Sequence, residues 1–176
     1  TYISLRRLEN EALALLHSGQ IVLDFGNPIK VSIGQFYGIE INDFAVTVAR
    51  TALWIAESQM MKETEDVVHT SLDFLPLKSY AGITEGNALR LDWEDVVPKE
   101  RLDYIMGNPP FVGYSYQSPE QKEELHSVAP DAGKNIDYVA GWYFKAAQLM
   151  KGTEIRSAFV STNSITQGEQ TCSVWK

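Results

Sequence analysis

The chain has 176 residues, 44% of them apolar and 22% charged, which is enough material for one domain with a full core. A net charge of −8 excludes this stretch as the main electrostatic footprint for nucleic acid, since phosphate contacts need clustered Lys and Arg, so another segment would have to hold such a substrate. No apolar run approaches the roughly 18 residues of a membrane span, the N-terminus lacks a secretory pattern, and the single Cys172 has no internal disulfide partner, so a cytoplasmic setting is expected.

Thr1 leads straight into an amphipathic pattern, TYISLRRLENEALALLHSG, with apolar residues at Ile3, Leu5, Leu8, Ala12, Leu13, Leu15 and Leu16 and a Gly19 stop. It reads as a helix with no beginning, and QGEQTCSVWK at the other end reads as the first turns of another helix, so a fragment of a longer chain is expected. QIVLDF and KVSI flank the turn signal GNP and predict a small hairpin, and QFYGIEI predicts a short strand. NDFAVTVARTALWIAESQMM predicts a helix capped by Asn42 or Asp43, with apolar positions around most of its circumference and hence largely buried. Residues 62–81 read as a polar surface connection, GITEGNALRLDW as a short strand ending near Gly86, and DWEDVVPKE as a solvated loop. A strand over 102–106 stops at Gly107, and the Glu-rich stretch 118–128 reads as a solvated helix or a lid. NIDYVAGWYFKAAQLMKG has helical spacing, with Asp137 near its start and Gly152 after its end, which places Trp142, Tyr143 and Phe144 in a core; IRSAFVSTNS is the last strand. His17, His69 and His126 are far apart, and neither metal-ligand spacing nor a Ser-His-Asp order emerges.

Strands alternating with helices imply parallel pairing in a doubly wound α/β fold, in which ligands gather outside the carboxyl ends of the strands. At those ends stand Glu40, Asn87, Asn108 and the Thr162-Asn163-Ser164 run, four polar positions expected to converge on one crevice. Asn108 carries the most information. Proline disfavours the helical region for the residue before it, so Asn108 is held extended, and neither Pro109 nor Pro110 has an N–H to donate. The turn is rigid and presents acceptors. The Asn108 side-chain oxygen and a neighbouring backbone carbonyl can together receive both hydrogens of an amino group, with Phe111 beside them as a stacking surface. Such bonding favours a pyramidal nitrogen whose lone pair points out of the ring plane, so positioning and electrostatics do the work without a strong base.

NPPF at Asn108, Pro109, Pro110 and Phe111 resembles the catalytic motif of S-adenosylmethionine-dependent DNA amino-methyltransferases, in the form usual for adenine N6. FYGIEINDFAVTVARTALWIAESQM, GNALRLDW and FVSTNSITQGEQ extend the resemblance over nearly the whole chain to the MmeI-like branch of single-chain restriction–modification enzymes. The resemblance implies a Rossmann-like class I methyltransferase fold, truncated at both ends, in which Glu40 accepts from the ribose hydroxyls of S-adenosylmethionine and Ile41 packs on its adenine. Asn87 and the Ala88 backbone would read that adenine's edge; many relatives have Asp where this chain has Asn87, and Asp92 is a rival for the role. Asn108 and the Pro109 carbonyl would hold the target amine, Phe111 and Tyr114 would stack on the flipped base, and Asn163 with its neighbours would line the base pocket.

The glycine-rich loop that cradles the methionine part of the cofactor would lie before Thr1, and the endonuclease and target-recognition domains are likewise absent from this sequence, so double-stranded DNA is expected to be held by segments outside it. No metal is implied at the methyltransferase site. The same motif type occurs in enzymes that modify RNA bases or protein glutamine, and a non-catalytic binding module on this fold is the third possibility.

Overall fold

A computed structural model describes residues 1–17, 29–69, 82–132, 135–167 and 170–175. Its first helix, α1 (Tyr2–His17), departs from the apolar reading of its sequence: Tyr2, Arg6, Asn10 and Leu13 are the buried positions, whereas Ile3, Leu5, Leu8, Leu15 and Leu16 are exposed. The spacing of four residues puts Tyr2, Arg6 and Asn10 on one stripe. That stripe packs on α2 (Asp43–Val68) through side-chain hydrogen bonds: the Tyr2 hydroxyl donates to Glu57, and Arg6 Nη2 donates to Thr64 Oγ1 at 2.7 Å. Arg6 is fully buried and is neutralised by Glu9 one turn on, as a buried charge requires.

Asn42 caps α2 by accepting from the Ala45 N–H at 3.0 Å. The helix runs on to Val68, so residues 62–68, expected in a surface connection, continue its last turns; His69 then ends it in the left-handed region at φ 53°. Nor is α2 buried all round. Val46, Glu57, Met60 and Thr64 are its buried positions, while Phe44, Val48, Trp54 and Ile55 are exposed. QIVLDF and GNP lie outside the described residues. KVSI forms no strand: Lys30 and Val31 donate their N–H groups to Glu9 Oε1, and Ile33 opens a 3-10 turn, Ile33–Gln35, closed by Ser32 and Gln35. Ile33, Tyr2 and Met60 form the core of this part of the chain.

Strands β1 (Gly38–Glu40) and β2 (Ile83–Glu85) pair in parallel, Glu40 opposite Glu85, with α2 as the crossover between them. The entry to β2 runs against the backbone before β1. A Cβ at Gly82 would sit 2.2 Å from the Phe36 carbonyl oxygen, so only glycine fits there. These elements belong to one unit, residues 1–86; residues 87–176 form the second.

The second unit opens with a turn on which Asp92 caps α3 (Trp93–Val96), accepting from the Glu94 N–H at 2.9 Å. The stretch read as a solvated loop is therefore partly helical, and it buries Trp93 and Val97 because the two apolar side chains have a core to enter. Strand β3 (Tyr104–Gly107) pairs in parallel with β4 (Arg156–Phe159), Gly107 opposite Phe159. Between them run α4 (Pro119–Val128), opened by a Ser118–Gln121 capping box, and α5 (Ala140–Met150). α4 is anchored rather than free-standing, since Glu124, Leu125 and Val128 are buried. α5 starts at Ala140, later than the pattern from Asn135 predicts, and Asp137 precedes it by three residues with its carbonyl accepting from the Ala140 N–H. Trp142 and Phe144 pack on the cluster of Leu89, Val128 and Tyr138, as expected of core positions, and Tyr143 meets Phe159 edge-on. A short α6 (Thr171–Val174) follows.

Helices and parallel strands agree with the α/β expectation. Among the described residues, however, the strands pair two by two, one pair in each unit, and not as one continuous doubly wound sheet. No helix among the described residues is long and apolar enough to cross a membrane.

Candidate active site

In the second unit two parallel strands end together. The Val160 N–H donates to the Gly107 carbonyl at 3.0 Å, so Asn108, the next residue after β3, emerges at the same carboxyl edge as the Ser161-Thr162-Asn163-Ser164 run after β4. Asn108 is exposed, Pro109 is buried beneath it, Pro110 is exposed, and Phe111 keeps 48% of its surface open. The corner is then tied down behind. The Val112 carbonyl accepts from the Tyr138 N–H at 2.9 Å, and Gln117 Nε2 donates to the Ile136 carbonyl at 2.8 Å. A rigid acceptor corner with an open aromatic is thus fixed at a strand end.

Tyr114 stands at the start of a 3-10 turn, Tyr114–Tyr116, partly exposed, with Lys122 Nζ 4.7 Å from its ring centroid. Asn163 begins the 3-10 turn Asn163–Ile165 with its side chain exposed and its carbonyl accepting from the Thr166 N–H. Beside it, Ser164 Oγ donates to Asp137 Oδ2 at 2.5 Å, and Gln170 Nε2 donates to the same oxygen at 2.9 Å. Asp137 is a residue whose part in this edge the sequence does not announce, because an acid before an apolar helical run reads as an ordinary helix-start residue.

Of the cofactor candidates, Glu40 closes β1 in the first unit. Its Oε1 accepts from the Asn42 N–H at 3.0 Å, which turns the carboxylate over the strand end, and Ile41 beside it is 67% exposed. A half-buried carboxylate at the carboxyl end of a parallel strand suits a pair of ribose hydroxyls. Asn87, Ala88 and Asp92 lie in the second unit. The Asn87 amide is engaged at both ends: Oδ1 accepts from the Leu89 N–H at 2.9 Å, and Nδ2 donates to Glu124 Oε1 at 3.0 Å. The Ala88 carbonyl accepts from Trp93 Nε1 at 2.9 Å. Asp92 lines a separate surface cavity of about 230 Å³ with Trp93, Lys99 and Lys145. Burial pushes the Lys145 ammonium below its usual range, with Asp92 acting the other way.

Glu124 holds this region together. Its carboxylate accepts from Asn87, from Arg90 Nε at 2.7 Å and from the Tyr138 hydroxyl. Burial alone would raise its pKa, but the three donors outweigh it and hold the carboxyl below the ordinary range. The Tyr138 hydroxyl, buried against that carboxylate, is pushed well above the ordinary phenol and stays a donor. Among the described residues no group of three or more His, Cys, Asp or Glu could hold a metal ion.

Parallel strands joined through helices, with an Asn-Pro-Pro-Phe corner at a strand's carboxyl end, define an α/β protein with its candidate site at that strand end. The chain belongs to the MmeI DNA-methyltransferase domain family, whose model matches residues 1–176. It is 39% identical over 180 residues to DNA methyltransferase A of Bacillus subtilis (strain 168), a match that covers 99% of this chain and 20% of that protein. It is also similar to the solved structure of the type IIL restriction–modification enzyme MmeI in complex with DNA, at 46% identity and a TM-score of 0.89, covering 99% of this chain and 24% of that one. The chain thus spans between a fifth and a quarter of the length of these relatives.

Proposed function

We propose that the protein to which these residues belong transfers a methyl group from S-adenosylmethionine to the exocyclic N6 amine of an adenine flipped out of double-stranded DNA, as the modification activity of a restriction–modification enzyme in the bacterial cytoplasm. The observation that carries this reading is the corner itself: exposed Asn108 and half-open Phe111, anchored through Val112, at the shared carboxyl edge of β3 and β4.

In this reading the Asn108 side-chain oxygen and the Pro109 carbonyl accept the two N–H groups of the target amine, drawing its lone pair out of conjugation, while Phe111 and Tyr114 stack on the extruded ring. Asn163 borders the base. S-adenosylmethionine, when bound, supplies the electrophilic methyl group. Glu40 holds ribose hydroxyls and Ile41 offers an apolar surface to the cofactor's base. Asn87, whose amide is engaged by Leu89 and Glu124, acts by setting the turn that presents Ala88, and Asp92 serves as a helix cap. The acidic balance of this chain, −8, leaves the grip on DNA phosphates to other parts of the protein.

The test is label transfer from methyl-tritiated S-adenosylmethionine by the full-length protein and by its Asn108→Ala variant, offered DNA, RNA and protein acceptors. Label in adenine of DNA, lost on substitution without loss of fold, is the expected result. Label appearing in RNA or in protein glutamine instead, or undiminished transfer by the variant, overturns the reading.

A further inference from the structure

We propose that Asp137 is a positioning residue for this reaction: it fixes the direction of a two-hydroxyl chain, Thr162 to Ser164, so that Thr162 presents an acceptor at the strand edge shared with Asn108. The proposal rests on the transfer reaction stated above and adds to it a residue that does not touch the base.

The Asp137 carboxylate can only accept, so the 2.5 Å contact from Ser164 Oγ to Asp137 Oδ2 consumes the single Ser164 proton. Thr162 Oγ1 lies 2.6 Å from Ser164 Oγ, and since Ser164 has no proton left to give, Thr162 must be the donor of that bond. Its own proton is then committed inward. What remains on Thr162 Oγ1, an exposed position between Phe159 and Asn163, is acceptor capacity alone.

Both hydrogens of the target amine already have acceptors in Asn108 and the Pro109 carbonyl, so Thr162 Oγ1 takes a shared, three-centre contact with one of them, and an acceptor held there favours an amino-bearing base over one that presents a carbonyl. Without the anion, the hydroxyl could rotate and present either polarity.

The carboxylate is itself held on several sides. Gln170, buried, donates Nε2 to Asp137 Oδ2 at 2.9 Å and accepts from the Asp137 N–H at 2.9 Å. A Cβ at Gly113 would lie 3.6 Å from Asp137 Oδ1, which puts the anion against the chain just beyond Phe111. The next residue, Tyr138, donates its N–H to the Val112 carbonyl. Asp137 therefore sits where the segment after β3 and the segment after β4 meet, and its charge orders the hydroxyls of the latter.

The test uses the full-length protein with Asp137→Asn, Thr162→Val and the double variant, reading methyl transfer at saturating cofactor, cofactor affinity and thermal midpoint. Asp137→Asn and Thr162→Val should each lower kcat on DNA by roughly tenfold or more, with cofactor affinity and thermal midpoint unchanged. The double variant should be no slower than the slower single one, because both changes remove the same oriented acceptor. Transfer by either single variant at the parent rate, a loss that follows cofactor affinity or stability, or multiplicative losses in the double variant would each overturn the proposal. Should Asp137→Asn fail to fold, Thr162→Val and Ser164→Ala decide the matter by the same criteria. A parent protein that does not methylate adenine in DNA marks failure of the underlying reading, and this is seen before any substitution is made.

Discussion

Asn87 and Glu124 meet through a 3.0 Å hydrogen bond in which the amide nitrogen donates and the carboxylate accepts. An aspartate at position 87 would have no proton to donate and would set a second negative charge against a carboxylate whose side chain is only 8% exposed. Asn87→Asp is therefore expected to destabilise the fold by about 1–3 kcal/mol at neutral pH. Urea denaturation of the single variant and of Asn87→Asp with Glu124→Gln checks this. The second change should recover part of the loss, because the new amide can donate where the old carboxylate could not; equal loss in both variants would mean that charge is not the cause.

Glu124 also sets a pH dependence. Its folded-state pKa lies below the ordinary value, through the donors Tyr138, Arg90 and Asn87 acting against burial. A depressed carboxyl contributes stability that is present above its unfolded pKa of about 4.3 and is lost as pH falls through the folded value. The urea midpoint of the wild type should fall on acidification below that range, and the fall should be shallower in Glu124→Gln. Parallel pH profiles for the two proteins would assign the acid sensitivity to other carboxyls.

Much of this arrangement was legible in the residues. The strand ends at Glu40 and Gly107, the Asn42 cap, a helix in the stretch 118–128 and the core placement of Trp142 and Phe144 follow from local rules that the structure obeys. What local rules miss is pairing at long range. α1 buries Arg6 and Asn10 in preference to Leu5 and Leu8, because Thr64 and Glu57 on α2 satisfy the polar stripe and Glu9 neutralises the charge. Periodicity counts apolar residues and cannot see a partner some fifty residues away. The same holds at the candidate site: Asn108 and its prolines declare themselves, whereas Asp137 gains its part only from Ser164 and Gln170, which the fold brings to it.

Gly141 offers a prediction about packing. A Cβ there would lie 2.9 Å and 3.0 Å from the two methyl carbons of Leu89 and 3.3 Å from Leu125, and both leucines are buried. Alanine in a helix interior gains roughly 0.5–1 kcal/mol over glycine. Overpacking of a core costs about 1–3 kcal/mol, so the contact term is the larger. Gly141→Ala should lower the thermal midpoint, and shortening the clashing side chain in a Gly141→Ala, Leu89→Val pair should cost less than the two changes summed. A rise in midpoint for Gly141→Ala would show that Leu89 moves aside freely.

Phe111 and Asn108 should separate base capture from chemistry. Phe111 leaves 48% of its surface open, so its removal takes little from the core, and the ring is free to act as a stacking platform. Stacking on an aromatic side chain is worth about 1–3 kcal/mol per base, so Phe111→Ala in the full-length protein should weaken retention of an extruded base by roughly five- to 150-fold with the thermal midpoint nearly unchanged. Fluorescence of 2-aminopurine at the target position, bright when unstacked from the duplex and quenched on an aromatic ring, reports this directly. Asn108→Ala should behave in the opposite way, with extrusion retained and methyl transfer lost, because in the proposed reaction its amide oxygen acts on the amine and not on the ring. If both variants lose extrusion and transfer together, the corner acts as one binding surface and the division of labour between its acceptor and its aromatic ring is wrong.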